Sequence, residues 1–230
     1  MNVNIYQLVE GAKSARGLTV VIDVFRAFSL EAYLLANGAE KTIPVGDVNL
    51  AYKLKQENPD YLLAGERHGK ILPGFDIGNS PAQAMEISVL GKTVIHTTSA
   101  GTQGIANAVN ASEILGASLV NAKATAEYIL KSGAEEVSLV CMGLEALAPS
   151  DEDTLCAEYI KSIIENKPFD IESKVENLKY TTGAKFFDPA QNDVFPMGDF
   201  PLCTNVNCFN FVMKLVKVEN APSYIKKVEL

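Results

Sequence analysis

Only three arginines occur in this chain, Arg16, Arg26 and Arg67, against 17 lysines. A guanidinium is a rigid fork that matches anionic oxygens two at a time, so scarce arginines mark places where an anion would be held. Two of the three fall in stretches that also carry acids, hydroxyls or glycines, "VVIDVFRAFS" (20–29) and "GERHGKILPGFDIGNSP" (65–81). Two further stretches of similar chemistry follow, "HTTSAGTQG" (96–104) and "GLEALAPSDEDTLCAEYI" (143–160).

Asp23 lies in an otherwise apolar run, and a buried unpaired carboxylate is costly. It needs a cation, amide donors or an open strand end; an Asp23–Arg26 ion pair or a helix cap would serve equally. Ser29 has the chemistry either of a cap or of a donor to an anion at a helix N-terminus. Thr97, Thr98, Ser99 and Thr102 supply hydroxyls beside Gly101 and Gly104, an anion cradle or a hydroxyl-rich cap. GxxxxGK[ST] is absent, so this is no P-loop. His96, at a strand end, reads as a core histidine. Glu152 and Asp153 fall in the first helical turn after Ser150, where acids favour the helix dipole without any ligand. Beyond a strand end they also become candidate ligands for Mg²⁺, which prefers carboxylate oxygens and keeps several waters.

Familiar phosphatase schemes fail one by one. Arg67-His68-Gly69 has the letters of the histidine-phosphatase motif without its placement or partner histidine. Asp23 is followed two positions later by Phe25, where an aspartyl-phosphate scheme needs a second aspartate. No cysteine has an arginine six positions on.

The elements that must position these residues alternate. Strands are predicted over 18–25, 41–45, 60–65, 91–98, 112–118 and 135–143, with helices over 29–39, 48–58, 100–110, 122–133 and 150–166. That order predicts an α/β protein, a three-layer α/β/α arrangement on a mostly parallel sheet, with ligands at the carboxyl ends of strands. Residues 1–166 are expected to form the core carrying the motifs. Residues 167–230, less regular, form an accessory region packed on it, in one continuous domain or two. A chain of 230 residues buries a core without staples. Cys141, Cys156, Cys203 and Cys208 have no metal-like spacing and are expected as free thiols. A net charge of −8 argues against nucleic acid, and the absence of a leader-like start or long apolar run predicts a cytoplasmic protein without membrane contact.

Taken in order, the four motifs resemble the 2-phosphosulfolactate phosphatase family across roughly residues 18 to 160, and less distinctly in the tail near 199 to 208. The GER-G…GFD-GNSP block is the most specific part. The resemblance implies a Mg²⁺-dependent hydrolase with its own α/β/α fold, removing phosphate from 2-phospho-3-sulfolactate in coenzyme M biosynthesis, or from another 2-hydroxy acid ester where that pathway is absent. Family motifs map onto Asp23, Arg26 and Ser29; onto Glu66, Arg67, Gly69, Gly74, Asp76, Gly78, Asn79 and Ser80; onto Thr97, Thr98, Gly101 and Thr102; and onto Glu152 and Asp153. Phe28 replaces an expected threonine, "TTSAGT" replaces T-T-N-G-T, and "CAE" (156–158) replaces a small pair. The second of these changes the tip of the anion loop, where it bears on substrate choice.

On this reading Arg26 and Arg67 clamp a small anion bearing phosphate, carboxylate and sulfonate groups. Ser29, Asn79, Ser80 and the Thr97–Thr102 loop, Ser99 and Gly101 included, cradle it. Asp23, Glu66, Asp76, Glu152 and Asp153 supply metal contacts and activate water. Two rivals are a non-catalytic binding module for a phosphorylated or sulfonated acid and a scaffold whose motifs serve packing; retention of every candidate acid favours the enzyme. A homodimer is compatible with these features.

Overall fold

The computed structural model describes residues 1–230. In chain order the elements are β1 (Asn2–Gln7), α1 (Leu8–Ser14), β2 (Gly17–Ile22), α2 (Ala27–Ala36), β3 (Lys41–Pro44), α3 (Val48–Glu57), β4 (Leu62–Arg67), β5 (Lys70–Ile71) and α4 (Pro81–Ala84). They continue as β6 (Thr93–Thr97), α5 (Gly101–Asn107), β7 (Ala111–Ala117), α6 (Ala122–Ser132), β8 (Glu136–Cys141), α7 (Asp151–Ile164), α8 (Ile171–Leu178), α9 (Asp199–Cys203), β9 (Phe211–Val216) and β10 (Tyr224–Glu229).

The ten strands form one sheet in the order β1-β8-β2-β7-β9-β10-β3-β6-β4-β5. Two parallel blocks, β1-β8-β2-β7 and β3-β6-β4, are joined through the antiparallel hairpin β9–β10. The joints are short: β7 meets β9 at two residue pairs and β10 meets β3 at one. Because β7–β9, β9–β10 and β10–β3 are each antiparallel, the two blocks run in opposed directions.

Helix α2 reconciles them. Its sequence, AFSLEAYLLA, lacks a polar face, and nine of its ten residues are buried; a helix apolar all round must be enclosed. Phe28 packs over Gly116 of β7, where any Cβ would lie 2.7 Å from the ring. On the other side Leu30 and Leu34 pack with Ala64 and Val94 of the second block. The sheet thus folds over α2, and ends of strands from both blocks reach one cleft. Helices α6 and α7 cover the outer face of the first block with Ile129, Leu155 and Ile160.

Glu31 interrupts the apolar run of α2. Its carboxylate accepts from Thr42 Oγ1 of β3 at 2.9 Å and shares a 2.7 Å hydrogen bond with His96 Nδ1 of β6. Both Glu31 and His96 are wholly buried. His96 is therefore a core histidine, tying the enclosed helix to the sheet.

The C-terminal region departs from an accessory role. Residues 167–210 hold only α8, α9 and short 3₁₀ turns, but 211–229 supply the hairpin at the centre of the sheet. β1 and β5 also escaped the sequence pattern, β1 because a polar, half-exposed edge strand such as NVNIYQ lacks the apolar run of a central one. No helix is long and apolar enough to cross a membrane, and all four cysteines are free.

Candidate active site

A tight cleft of about 50 Å³ opens where β2, β4, β6 and β8 end. Asp23, Arg26, Glu66, Ser99, Gly143 and Glu152 line it, so all four sequence motifs meet there. A roomier groove of about 650 Å³ lies between α7 and α8. That groove offers Asp151, Glu158 and Glu176 against Lys174 alone and has none of the arginines, which makes it a poor host for a polyanion.

Asp23 follows β2 and is 5% exposed. Its Oδ1 accepts from Ala27 N at 3.1 Å, and Gly101 packs so closely that a Cβ there would sit 2.8 Å from Asp23 Oδ2. Burial pushes the Asp23 carboxyl up to about 6; Glu66 and Glu152 push the same way, against the amides of Ala27 and Gly101. Glu66, at the end of β4, is held by Ser99 N at 2.7 Å, Gly69 N at 2.7 Å and Ser99 Oγ at 3.2 Å. It thereby fixes the loops after β4 and β6 against each other.

The first turn of α7 divides its acids. Asp153 Oδ1 and Oδ2 accept from Val24 N and Gly143 N, each at 2.8 Å, clamping the chain after β2 to the chain after β8. Burial, then Asp23 and Glu152, raise its carboxyl well above the usual range. Ser150 makes no capping bond, so the expected cap with Asp153 is not formed. Glu152 is 4% exposed, lines the cleft, and its Oε2 has no partner. Asn79 likewise lines the cleft with an unpartnered Oδ1.

Several expected ligands are engaged elsewhere. Arg67 does not line the cleft; its guanidinium donates to the carbonyls of Glu66 and Gly46 and to Thr97 Oγ1. Asp76 accepts from Leu63 N and faces Lys55, so it staples its own loop rather than joining the acids. Ser29 donates to Val24 O, and Thr98 and Thr102 bond each other's amides and hydroxyls at the start of α5. Ser80 caps α4 and donates to Asp199. None of these side chains lines the cleft; each is hydrogen-bonded within the protein around it. Gly101 acts through its close approach to Asp23, and Ser99 alone of the hydroxyl loop lines the cleft.

Three residues outside the motifs complete the site. Asp199 of α9 is wholly buried and meets Arg26 Nη1 at 2.8 Å with Oδ2, while Oδ1 accepts from Ser80 Oγ at 2.7 Å and Ala82 N at 2.9 Å. Phe195 lies under the Arg26 guanidinium, 4.9 Å from carbon to ring centre. Lys185 and Phe195 both line the cleft. An aspartate in a segment without periodicity carries no signal except its place in the tail near 199, and Lys185 carries none among 17 lysines.

A family model described as 2-phosphosulpholactate phosphatase matches residues 3–217. The chain belongs to the 2-phosphosulfolactate phosphatase family. Its relatives include a Bacillus subtilis (strain 168) protein named "Probable 2-phosphosulfolactate phosphatase", 32% identical over 225 residues, 97% of each chain. A protein of the same name from Caldanaerobacter subterraneus is 34% identical over 215 residues, covering 85% of this chain and 86% of its own. The 2-phosphosulfolactate phosphatase match extends through β9, so the tail that supplies Asp199 and Lys185 lies within the family's span. The family consists of phosphoric monoester hydrolases, and four acids around one arginine suit that chemistry.

The donor set also fits Mg²⁺. No three His, Cys, Asp or Glu side chains converge as a ready-made metal shell, but Mg²⁺ is held by one or two carboxylates and keeps its waters. Glu152, with its buried and unpartnered Oε2, and Asp23 line the same cleft and would be the two donors.

In metal-free protein the raised Asp23 carboxyl has a definite pH signature. An acid with a folded pKa near 6 and an ordinary value of 3.8 binds its proton more tightly when folded. Its contribution to stability is present in full below pH 4 and is lost as the pH rises through 6. Chelated protein is expected to lose on the order of 3 kcal/mol from this group between pH 4 and pH 7, read by urea unfolding across that range. Asp23→Asn should reduce the slope, leaving the part that the buried Asp153 carboxyl contributes; an unchanged slope would refute the assignment.

Proposed function

We propose that the chain hydrolyses the phosphate monoester of a 2-hydroxy acid, 2-phospho-3-sulfolactate in the first instance, with Mg²⁺ in the cleft. The observation that supports this reading most is the convergence of Asp23, Glu66, Glu152 and Arg26 from four separated motifs on one cleft, with a Glu152 oxygen left unpartnered. Cytoplasmic location and a part in coenzyme M biosynthesis belong to the same proposal and rest on the family resemblance.

Phosphate monoesters hydrolyse very slowly in water, so the protein must place a nucleophile in line and offset equatorial charge. Arg26 is held rigid by Asp199 and Phe195 with only Nη1 engaged, which leaves donors for phosphoryl oxygens. Asp23 and Glu152 would hold the cation, which when bound supplies positive charge against the phosphoryl oxygens and lowers the pKa of coordinated water. Glu66 keeps the loops after β4 and β6 closed on the site. Asp153 keeps the chain after β2 and β8 in place, so that Asp23 and Glu152 stay adjacent.

Phosphate release from 2-phosphosulfolactate and 2-phospholactate, with and without Mg²⁺, tests this. Metal-dependent release is expected. Binding of these esters without release under any divalent metal would instead support the non-catalytic binding module.

A further inference from the structure

Lys185 lines the cleft, yet it pairs with no carboxylate within 4.0 Å, although Glu66, Glu145 and Glu152 line the same space. Its ammonium sits instead among aromatic faces, 5.5 Å from the Phe25 ring centre, 5.6 Å from Phe186 and 5.1 Å from Phe195. Aromatic faces attract a cation but leave its N–H donors unused. Several lysines elsewhere sit beside acids, Lys161 and Lys167 with Glu165 and Lys214 with Glu113 among them, and others such as Lys174 and Lys179 rest on a ring alone; Lys185 differs from all of them in lining the cleft. A half-buried ammonium without a counter-ion at a cleft wall is a charge arranged for something that arrives.

Arg26 is spoken for differently. It is 3% exposed, fixed by Asp199 and stacked on Phe195, and it lies three residues from Asp23, next to the acids. Lys185 comes from a 3₁₀ turn at 184–187, in the irregular region beyond α8. Phe195 contacts both cations, and all three residues line the one cleft. A substrate with a phosphate and a second acidic group on the next carbons needs two such positive points, one at the reacting centre and one beyond it.

We infer that Lys185 is the specificity-determining residue that receives the substrate's second anionic group, carboxylate or sulfonate, while the phosphoryl group lies at Arg26. This rests on the phosphatase reading above and adds to it the discrimination between esters with charged and uncharged tails. Phe25, Phe186 and Phe195 position the ammonium and exclude water from it, which strengthens its pull on an anion.

The test compares wild type, Lys185→Met and Lys185→Arg, each with Mg²⁺, on 2-phospholactate and on glycerol 2-phosphate, whose tail is uncharged. Methionine keeps the apolar stem against the rings, and matching thermal unfolding curves establish that each variant is folded. Loss of a charge-assisted contact predicts a KM for 2-phospholactate raised about 10- to 100-fold in Lys185→Met with kcat nearly unchanged. Glycerol 2-phosphate should show no difference, and Lys185→Arg should recover most of the loss. Equal losses on both esters, or an unchanged KM for 2-phospholactate, would overturn the inference. Should wild type hydrolyse neither ester, the phosphatase reading fails by itself. Calorimetric binding of sulfolactate then decides the role of Lys185: weaker binding by Lys185→Met sustains it, and equal binding refutes it.

Discussion

Asp199→Ala is expected to lower the free energy of unfolding by about 3–5 kcal/mol, the usual result of stripping one partner from a buried ion pair. Arg26 is 3% exposed and Asp199 wholly buried, so the orphaned guanidinium cannot turn to water. The same change removes the acceptor of Ser80 Oγ and Ala82 N, which freezes α4 against α9. Urea denaturation gives the number. The double variant Asp199→Ala/Arg26→Met separates the pair's intrinsic worth from the cost of breaking it, because replacing both charges by apolar groups is often neutral or stabilising. If the single variant lost less than about 1 kcal/mol, within the range of an exposed pair, the buried geometry at Arg26 would be wrong.

Asp23→Asn is expected to reduce kcat/KM by about 10²- to 10⁴-fold, the range found when a group handling protons or charge in the transition state is removed. The amide can still accept from Ala27 N through Oδ1, so the loss would report chemistry and not collapse of α2. Circular dichroism and the reduced pH dependence of stability described above provide the control. Activity within tenfold of wild type would move the chemistry away from the end of β2.

These effects trace to residues of unequal legibility. Asp23 announced itself as an acid in an apolar run, and strand ends are where a parallel block leaves side chains free. Glu31 is likewise an acid in an apolar run, but its partners Thr42 and His96 are 11 and 65 residues away in sequence and become visible only once the sheet folds over α2. Arg67 is illegible for another reason: a guanidinium is satisfied equally well by carbonyls or by an anion, and here it donates to the carbonyls of Glu66 and Gly46.

The acids of α7 show how position outweighs composition. Asp151, Glu152 and Asp153 look alike as first-turn residues, yet one faces the groove between α7 and α8, one the cleft, and one the amides of two neighbouring loops. Helical geometry turns successive residues by roughly 100°, so three consecutive acids cannot share a task. The tail was least legible because its strands enter the sheet between two blocks already complete in the βαβ pattern. Asp199 and Lys185 come to the site from a segment whose sequence shows no period, 173 residues from Arg26 in the first case.

On the proposed function, Asp23 and Glu152 hold a divalent cation at the ends of β2 and β8, in the cleft that receives the phosphate ester. Crystals soaked with Mn²⁺ and sulfolactate test it most directly through the anomalous signal of the metal. A single strong peak is expected in coordination contact with carboxylate oxygens of both residues, with sulfolactate beside Arg26. A cation bound only in the acidic groove between α7 and α8, with the cleft free of ligand, would contradict it.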